Sequence, residues 1–190
     1  MSSYLRPRIP AASIFFTVCL ADRRQSLLTD NIDRLRWSYR RMCQDRPVTT
    51  EAIVILPDHI HCVWTLPDGD HDYSTRWRLL KARFSRGLPP GVRRASHLLR
   101  AERGLWQRRF WEHHIRNEAE MQQAIRFCWN DAVRHGLVDD PFAWPHSSIH
   151  RDMAVSLRAG AALRDRRDAP SGNPPPMTGN PALSPAAPLG

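Results

Sequence analysis

The run Ile53-Val54-Ile55-Leu56-Pro57-Asp58-His59-Ile60-His61-Cys62-Val63-Trp64 constrains the fold more than any other part of the chain. Two apolar, β-prone runs flank a Pro-Asp break, which predicts strand, tight connection, strand. Side chains alternate faces along a strand, so His59 and His61 share one face while Ile60, Cys62 and Trp64 share the other. The second face suits a core. The first opens with two imidazoles side by side, in reach of a shared cation or phosphate. The strand is otherwise nearly all apolar and the chain around it is basic, which weighs against two incidental surface histidines.

The chain has 190 residues and a formal net charge of +9. That length fits one domain with an appendage, a domain over 4–152 and a tail over 153–190. The basic residues are almost all arginine, with Lys81 the only lysine. Arginine suits bidentate phosphate contact and stacking on bases. The charge favours a polyanionic partner, nucleic acid before membrane, because no apolar run approaches a bilayer span. The stretch from Ile14 to Leu20 is too short and is broken by Thr17. The start of the chain carries no signal-peptide cleavage pattern, so a cytoplasmic protein, nucleoid-associated when bound to DNA, is expected. Cys19, Cys43, Cys62 and Cys128 are scattered, without a Cys-x-x-Cys pair, and read as buried or inert thiols.

In chain order, the segment from Tyr4 to Pro10 reads as an extended basic arm. Ile14 to Leu20 is apolar enough on both faces to be a central strand. A helix capped by Asp30 or Asn31 runs to about Asp45, with Ile32, Leu35, Tyr39 and Met42 as its buried stripe. Thr49 to Leu56 is the next strand, and the His strand ends at Leu66. A helix from about Ser74 to Arg86 turns Trp77, Leu80 and Phe84 inward. Its Arg76, Arg78, Lys81, Arg83 and Arg86 face no acidic residue within the helix, which predicts contact with an anionic partner.

A Pro/Gly-interrupted basic connection covers 87–103. Then Trp106-Gln107-Arg108-Arg109-Phe110-Trp111 interleaves aromatic and basic residues before Glu112-His113-His114-Ile115, and reads as a turn and strand. Trp106, Arg108 and Arg109 are candidates for stacking on unpaired bases and holding phosphates; at least one of Trp106, Phe110 and Trp111 is expected to fill core instead. Asn117, Glu118 and Glu120 mark a helix start, and Gly136 its stop. Met121, Ile125, Cys128 and Ala132 form its buried stripe, and Phe127 and Asp131, four apart, share a neighbouring face. Trp144-Pro145-His146-Ser147-Ser148 is expected to pack back on the sheet. A short helix is expected near 158–167, and the Pro-, Gly- and Ala-rich end is expected to be disordered.

These stretches resemble the REP-associated tyrosine transposases, a branch of the single-tyrosine HUH transposases. The matching runs are Ile14-Phe15-Phe16-Thr17-Val18, Leu56 to Pro67, Arg76-Trp77-Arg78-Leu79-Leu80-Lys81, Gly104 to His113, Val133-Arg134-His135-Gly136-Leu137-Val138 and the Trp144 to Ser148 segment. The resemblance spans roughly residues 4 to 152 and implies an α+β fold: a ferredoxin-like antiparallel sheet with helices packed on one face. It implies that His59 and His61 bind a divalent metal, Mg or Mn. It implies a partner in single-stranded or hairpin DNA, with metal-dependent strand cleavage and joining by a tyrosine on the helix after the sheet. A third metal ligand, Gln or Asn, lies one turn beyond that tyrosine in the family. A monomer and a dimer are both compatible with the sequence.

The chain departs from the pattern at the nucleophile. Where the family has Tyr-Ile-His-x-Asn-Pro-Val-Lys, this sequence reads Phe127-Cys128-Trp129-Asn130-Asp131-Ala132-Val133-Arg134. Phe127 takes the nucleophile position without a hydroxyl. Asp131 takes the third ligand position and remains an oxygen donor. Two readings follow. In one the chain is a metal-dependent single-strand DNA transposase or endonuclease using another nucleophile, such as Tyr73 or a metal-bound water. In the other it is a non-cleaving hairpin-DNA-binding module derived from a transposase.

Overall fold

The computed structural model describes residues 9–93, 98–99 and 102–155. Residues up to Met153 form one compact unit. The basic arm before Ile9, the expected short helix near 158–167 and the Pro-rich end lie outside the described residues.

The chain runs β1 (Ser13–Cys19), α1 (Leu27–Asp30), α2 (Ile32–Asp45), β2 (Thr49–Ile55), β3 (His59–Thr65), α3 (Tyr73–Ser85), β4 (Trp111–His114), α4 (Glu118–Arg134), then a 3-10 turn at Pro141–Ala143. The four strands form one antiparallel sheet in the order β2-β3-β1-β4. This is the expected ferredoxin-like α+β arrangement. The register sets His59 opposite Cys19 and His61 opposite Thr17.

The period-2 pattern around the histidines places them as expected. Ile60, Cys62 and Trp64 join Ile14, Phe16 and Val18 on one face, and α2 and α3 cover it with Leu35, Met42, Trp77, Leu80 and Phe84. Trp64 and Trp77 stack with ring centroids 4.4 Å apart. The Trp64 indole N–H donates to the Tyr39 hydroxyl at 2.7 Å, which satisfies the one polar atom of a fully buried ring. The expected placement of helices on one face therefore holds for α2 and α3. The third helix, α4, takes the opposite face, where Cys128 packs on Ala52, Val54, Leu56 and Val63. The β2–β3 hairpin carries apolar residues on both faces, Ala52, Val54 and Val63 on the second, and the stripe of α4 covers them.

α4 begins as its sequence predicts. The Asn117 side chain accepts from the Glu120 N–H at 2.9 Å, and Glu120 reaches back to the Arg116 N–H at 3.0 Å. It ends on Gly136, whose φ of 65° only glycine adopts cheaply; Leu137 N–H bonds Ala132 and Gly136 N–H bonds Val133, closing a Schellman motif. The Trp144 to Ser148 segment returns to the free edge of β2. Ile55 N–H donates to His146, Ser148 N–H to Ile53, and the Trp144 indole to the Ile55 carbonyl. An edge strand is thereby covered.

Two local expectations are refined. The turn and strand expected across Trp106 to Ile115 take shape as an irregular lead, with Trp106 in an isolated bridge to Leu20, and a short strand at Trp111–His114. The cationic helix α3 is also less bare than its sequence implies. Arg76 is buried and bonded to Asp70 on the loop just before the helix, and Arg83 pairs with Asp45 of α2, so acids outside the helix neutralise two of its charges.

Candidate metal centre and nucleic-acid face

The histidine face is not open, as the sequence had suggested, but roofed by α4. His59 and His61 are both buried, at 3% and 7% exposure. Phe127, Asp131 and His135 follow one another at four-residue spacing along α4 and its C-terminal cap, so they share one helical face. That face meets the histidines. Asp131 Oδ2 lies 3.7 Å from His59 Nε2, 3.4 Å from His61 Nε2 and 3.7 Å from His135 Nε2. His135 was missed by sequence reasoning. Its spacing from Asp131 was the available clue, since a residue four beyond a candidate ligand shares its face.

Neighbours fix how the imidazoles are presented. Asp58 Oδ1 lies 2.6 Å from His59 Nδ1, and Arg23 in turn holds Asp58. A carboxylate accepts, so the His59 proton sits on Nδ1 and the Nε2 lone pair faces Asp131. Thr17 Oγ1 lies 2.9 Å from His61 Nδ1, which leaves His61 Nε2 facing the same point. Burial is the main cause that lowers the His61 imidazole to about 4; Asp131 opposes it and His59 adds to it. His61 is therefore neutral near pH 7, the form that ligates metal. Burial would raise the Asp131 carboxyl, but the surrounding imidazoles outweigh it and hold the group below its ordinary value.

Asp131 Oδ2 is buried and, among the described residues, has no hydrogen-bond partner. The three nitrogens around it stand at 3.4 to 3.7 Å, long for a hydrogen bond. A buried carboxylate oxygen ringed by imidazole lone pairs at that spacing fits a divalent cation, and His59, Asp131 and His135 offer ligand atoms all within 4.8 Å of one another. Phe127 borders this cluster. Its ring stands edge-on to His61 with centroids 5.2 Å apart and edge-on to Phe15 at 5.5 Å, with the Arg134 guanidinium 4.4 Å over it. Tyr73, the first alternative nucleophile, is buried against Phe16 on the far face of the sheet, and Tyr39 bonds Thr50 and Trp64 there. Neither reaches the histidines.

The expected DNA-binding residues do not gather at this cluster. α3 covers the other face. Arg78 and Arg86 are exposed on and just after it, while Arg83 is tied to Asp45. Lys81 donates to the Gln107 carbonyl at 2.9 Å and lies over the rings of Trp106 and Phe110. Trp106 is half-buried against Phe84 and donates to Ser85, so it fills core rather than offering a free ring. Arg108 pairs with Glu102, and Arg109 is exposed. Within the 106–111 run the exposed aromatic ring is Trp111, 57% exposed on edge strand β4. Opposite Thr17 in register, it shares the face of His61, stacks on His113 and stands edge-on to Phe15. A shallow cleft beside the cluster is lined by Arg23, Arg24, Gln25, Asp58 and His135.

These features define an α+β protein that gathers three imidazoles and a carboxylate between a sheet and a helix. The chain matches no protein-family model. It is 40% identical over 157 residues to a REP-associated tyrosine transposase of Escherichia coli K12, covering 83% of this chain and 88% of that protein. It is 40% identical over 159 residues to a Haemophilus influenzae protein provisionally named as another, covering 83% and 90%. A solved structure of such a transposase bound to a REP hairpin is 39% identical, with a TM-score of 0.72, over 83% of this chain and 88% of that one. The chain belongs to the REP-associated tyrosine transposases.

Proposed function

We propose that this chain binds hairpin DNA of the REP type together with its single-stranded flank, and that it holds a divalent metal at His59, His61 and Asp131. The observation that carries the reading is the 39% identical relative bound to a REP hairpin, whose fold this chain shares along most of its length. A net charge of +9 and the exposed Arg78, Arg86 and Arg109 supply an attractive surface for phosphates. When bound, the metal would tie the histidine strand to α4 and add a positive charge on the face that carries Trp111. The chain's own residues do the rest. Asp58 and Thr17 orient the two histidines, α4 excludes water from them, and Trp111 offers a ring to an unpaired base on the same face.

Phe127 favours the non-cleaving form of this reading. Phe127, read through the resemblance as the tyrosine position, lies beside His61 and carries no hydroxyl. Binding is therefore proposed as the retained activity, with tyrosine-mediated cleavage and joining lost.

Two measurements test binding. Affinity for a labelled hairpin is expected to fall linearly with the logarithm of salt concentration. Arg78→Ala and Arg109→Ala should each reduce that slope by about 1, whereas Arg83→Ala, already paired with Asp45, should change it less. Affinity indifferent to salt defeats the proposal. Trp111→Ala should weaken binding by about 1–3 kcal/mol when the hairpin carries an unpaired flank, and far less when the flank is removed. An equal loss with both substrates would assign Trp111 to the duplex stem instead.

A further inference from the structure

We infer that His135 is a fourth donor to the metal and that the completed site selects an imidazole-preferring divalent transition metal, Zn²⁺ in the first instance, over Mg²⁺. The inference rests on the reading of His59, His61 and Asp131 as metal-binding residues and adds both a ligand and a metal class to it.

Distances carry the first half. His59, His61 and His135 each direct Nε2 at the same carboxylate oxygen, at 3.7, 3.4 and 3.7 Å. Those separations are long for hydrogen bonds, and Asp131 Oδ2 is left without one among the described residues, in a buried position. A tetrahedron with bonds of about 2.1 Å to its centre has edges of about 3.4 Å. The oxygen-to-nitrogen separations are near that edge length, and the ligand atoms of His59, Asp131 and His135 lie within 4.8 Å of one another; His61 stands outside that group, so the nitrogens must draw inward before one ion meets all four atoms. His135 can make that movement. It caps the C-terminus of α4, and its side chain is 45% exposed, against 2% for Asp131.

Donor chemistry carries the second half. Mg²⁺ demands six ligands, prefers oxygen and sheds water reluctantly. Three imidazoles and one carboxylate suit Zn²⁺ and its neighbours in the transition series. Four protein donors also fill the position that a catalytic zinc leaves open. The cluster joins β3 to α4, so a closed site would pin the helix over the histidine strand. That structural use agrees with Phe127, which has already removed the hydroxyl from the same face of α4.

The test is metal binding by the metal-free full chain, followed by competition with a coloured chelator and by the visible spectrum of the Co²⁺-substituted protein. Expected are one Zn²⁺ per chain, no displacement by equimolar Mg²⁺, and the intense absorption of four-coordinate Co²⁺. His135→Ala, half-exposed and tolerated by the fold as judged by circular dichroism, should weaken Zn²⁺ binding at least about tenfold. It should also bleach the Co²⁺ band as water enters. If His61→Ala abolishes binding while His135→Ala leaves affinity and spectrum unchanged, the fourth ligand is overturned and the three-residue site stands. Binding unaffected by either substitution overturns both, and a site filled by Mg²⁺ in preference to Zn²⁺ overturns the metal class.

Discussion

A labelled single-stranded hairpin incubated with the wild-type chain and Mn²⁺ is expected to yield no covalent protein–DNA band on denaturing electrophoresis, and Phe127→Tyr is expected to yield one. The substitution adds one oxygen to a half-buried ring that already stands edge-on to His61 with centroids 5.2 Å apart, and Arg134 over its face supplies a positive neighbour. Chemically the step is a balanced exchange. The phenol oxygen bonds phosphorus and loses its proton to solvent, and the 3′ oxygen leaves and takes a proton up, so no oxidant or second substrate is needed. The band should disappear in the background of His59→Ala with His61→Ala. It should be faint in the single variant, because His135 occupies the ligand cluster. Phe127→Tyr combined with His135→Ala should therefore give a stronger band than Phe127→Tyr alone. A band from the wild type would sink the idea. Tyr39 and Tyr73 lie under the opposite face of the sheet, so such a band would direct attention to Tyr4, outside the described residues.

The parts of the fold legible in the sequence were those written in short periods. Alternation along Ile60, Cys62 and Trp64 gave the core face of β3, and the spacing of Trp77, Leu80 and Phe84 gave the buried side of α3. Asn117 with Glu120, and Gly136, gave both ends of α4. Phe127 and Asp131 were placed through the family resemblance, and the structure brings both to His61. What escaped notice depended on long-range pairing. Asp70 and Asp72 stand close before the arginine at 76, but that it turns inward depends on the Arg46 and Pro47 carbonyls, which only the fold brings to it. Nothing local separates Trp106 from Trp111; both sit in one aromatic and basic run, and only the register of β4 buries the first and exposes the second. His135 escaped for another reason. It follows the last ordinary helical residue, where a side chain reads as a cap rather than a ligand.

Arg76→Leu should be among the most destabilising single substitutions in the domain, costing about 3 kcal/mol of the 5–15 kcal/mol typical of a folded domain. Arg76 is 1% exposed. Its guanidinium donates to the Pro47 carbonyl at 2.6 Å, the Asp72 carbonyl at 3.0 Å, the Arg46 carbonyl at 3.3 Å and Asp70 Oδ2 at 2.8 Å. It thereby ties the α2–β2 connection to the loop that enters α3. Leucine matches the apolar stem but leaves three carbonyls and a carboxylate without this donor, and an acceptor orphaned away from water costs about 1–3 kcal/mol. Arg76→Lys should recover only part of the loss, since one ammonium cannot span four acceptors held in a planar fork. Acid separates the ion pair from the carbonyls. The Arg76 hydrogen bond is the largest cause holding the Asp70 carboxyl at about 2, below its ordinary 3.8. A carboxyl depressed on folding stabilises above its unfolded value and loses that contribution as pH falls through the folded one. Asp70 is partly exposed, so its share is screened and small. In urea titrations followed by tryptophan fluorescence, wild type should therefore lose stability faster than Arg76→Leu as pH drops from about 4 toward about 2. The gap between them should narrow but stay open, because the unbonded carbonyls do not titrate. A gap that closes completely would assign the whole effect to the Asp70 pair, and a cost under about 1 kcal/mol at neutral pH would mean that water replaces the guanidinium at all four acceptors.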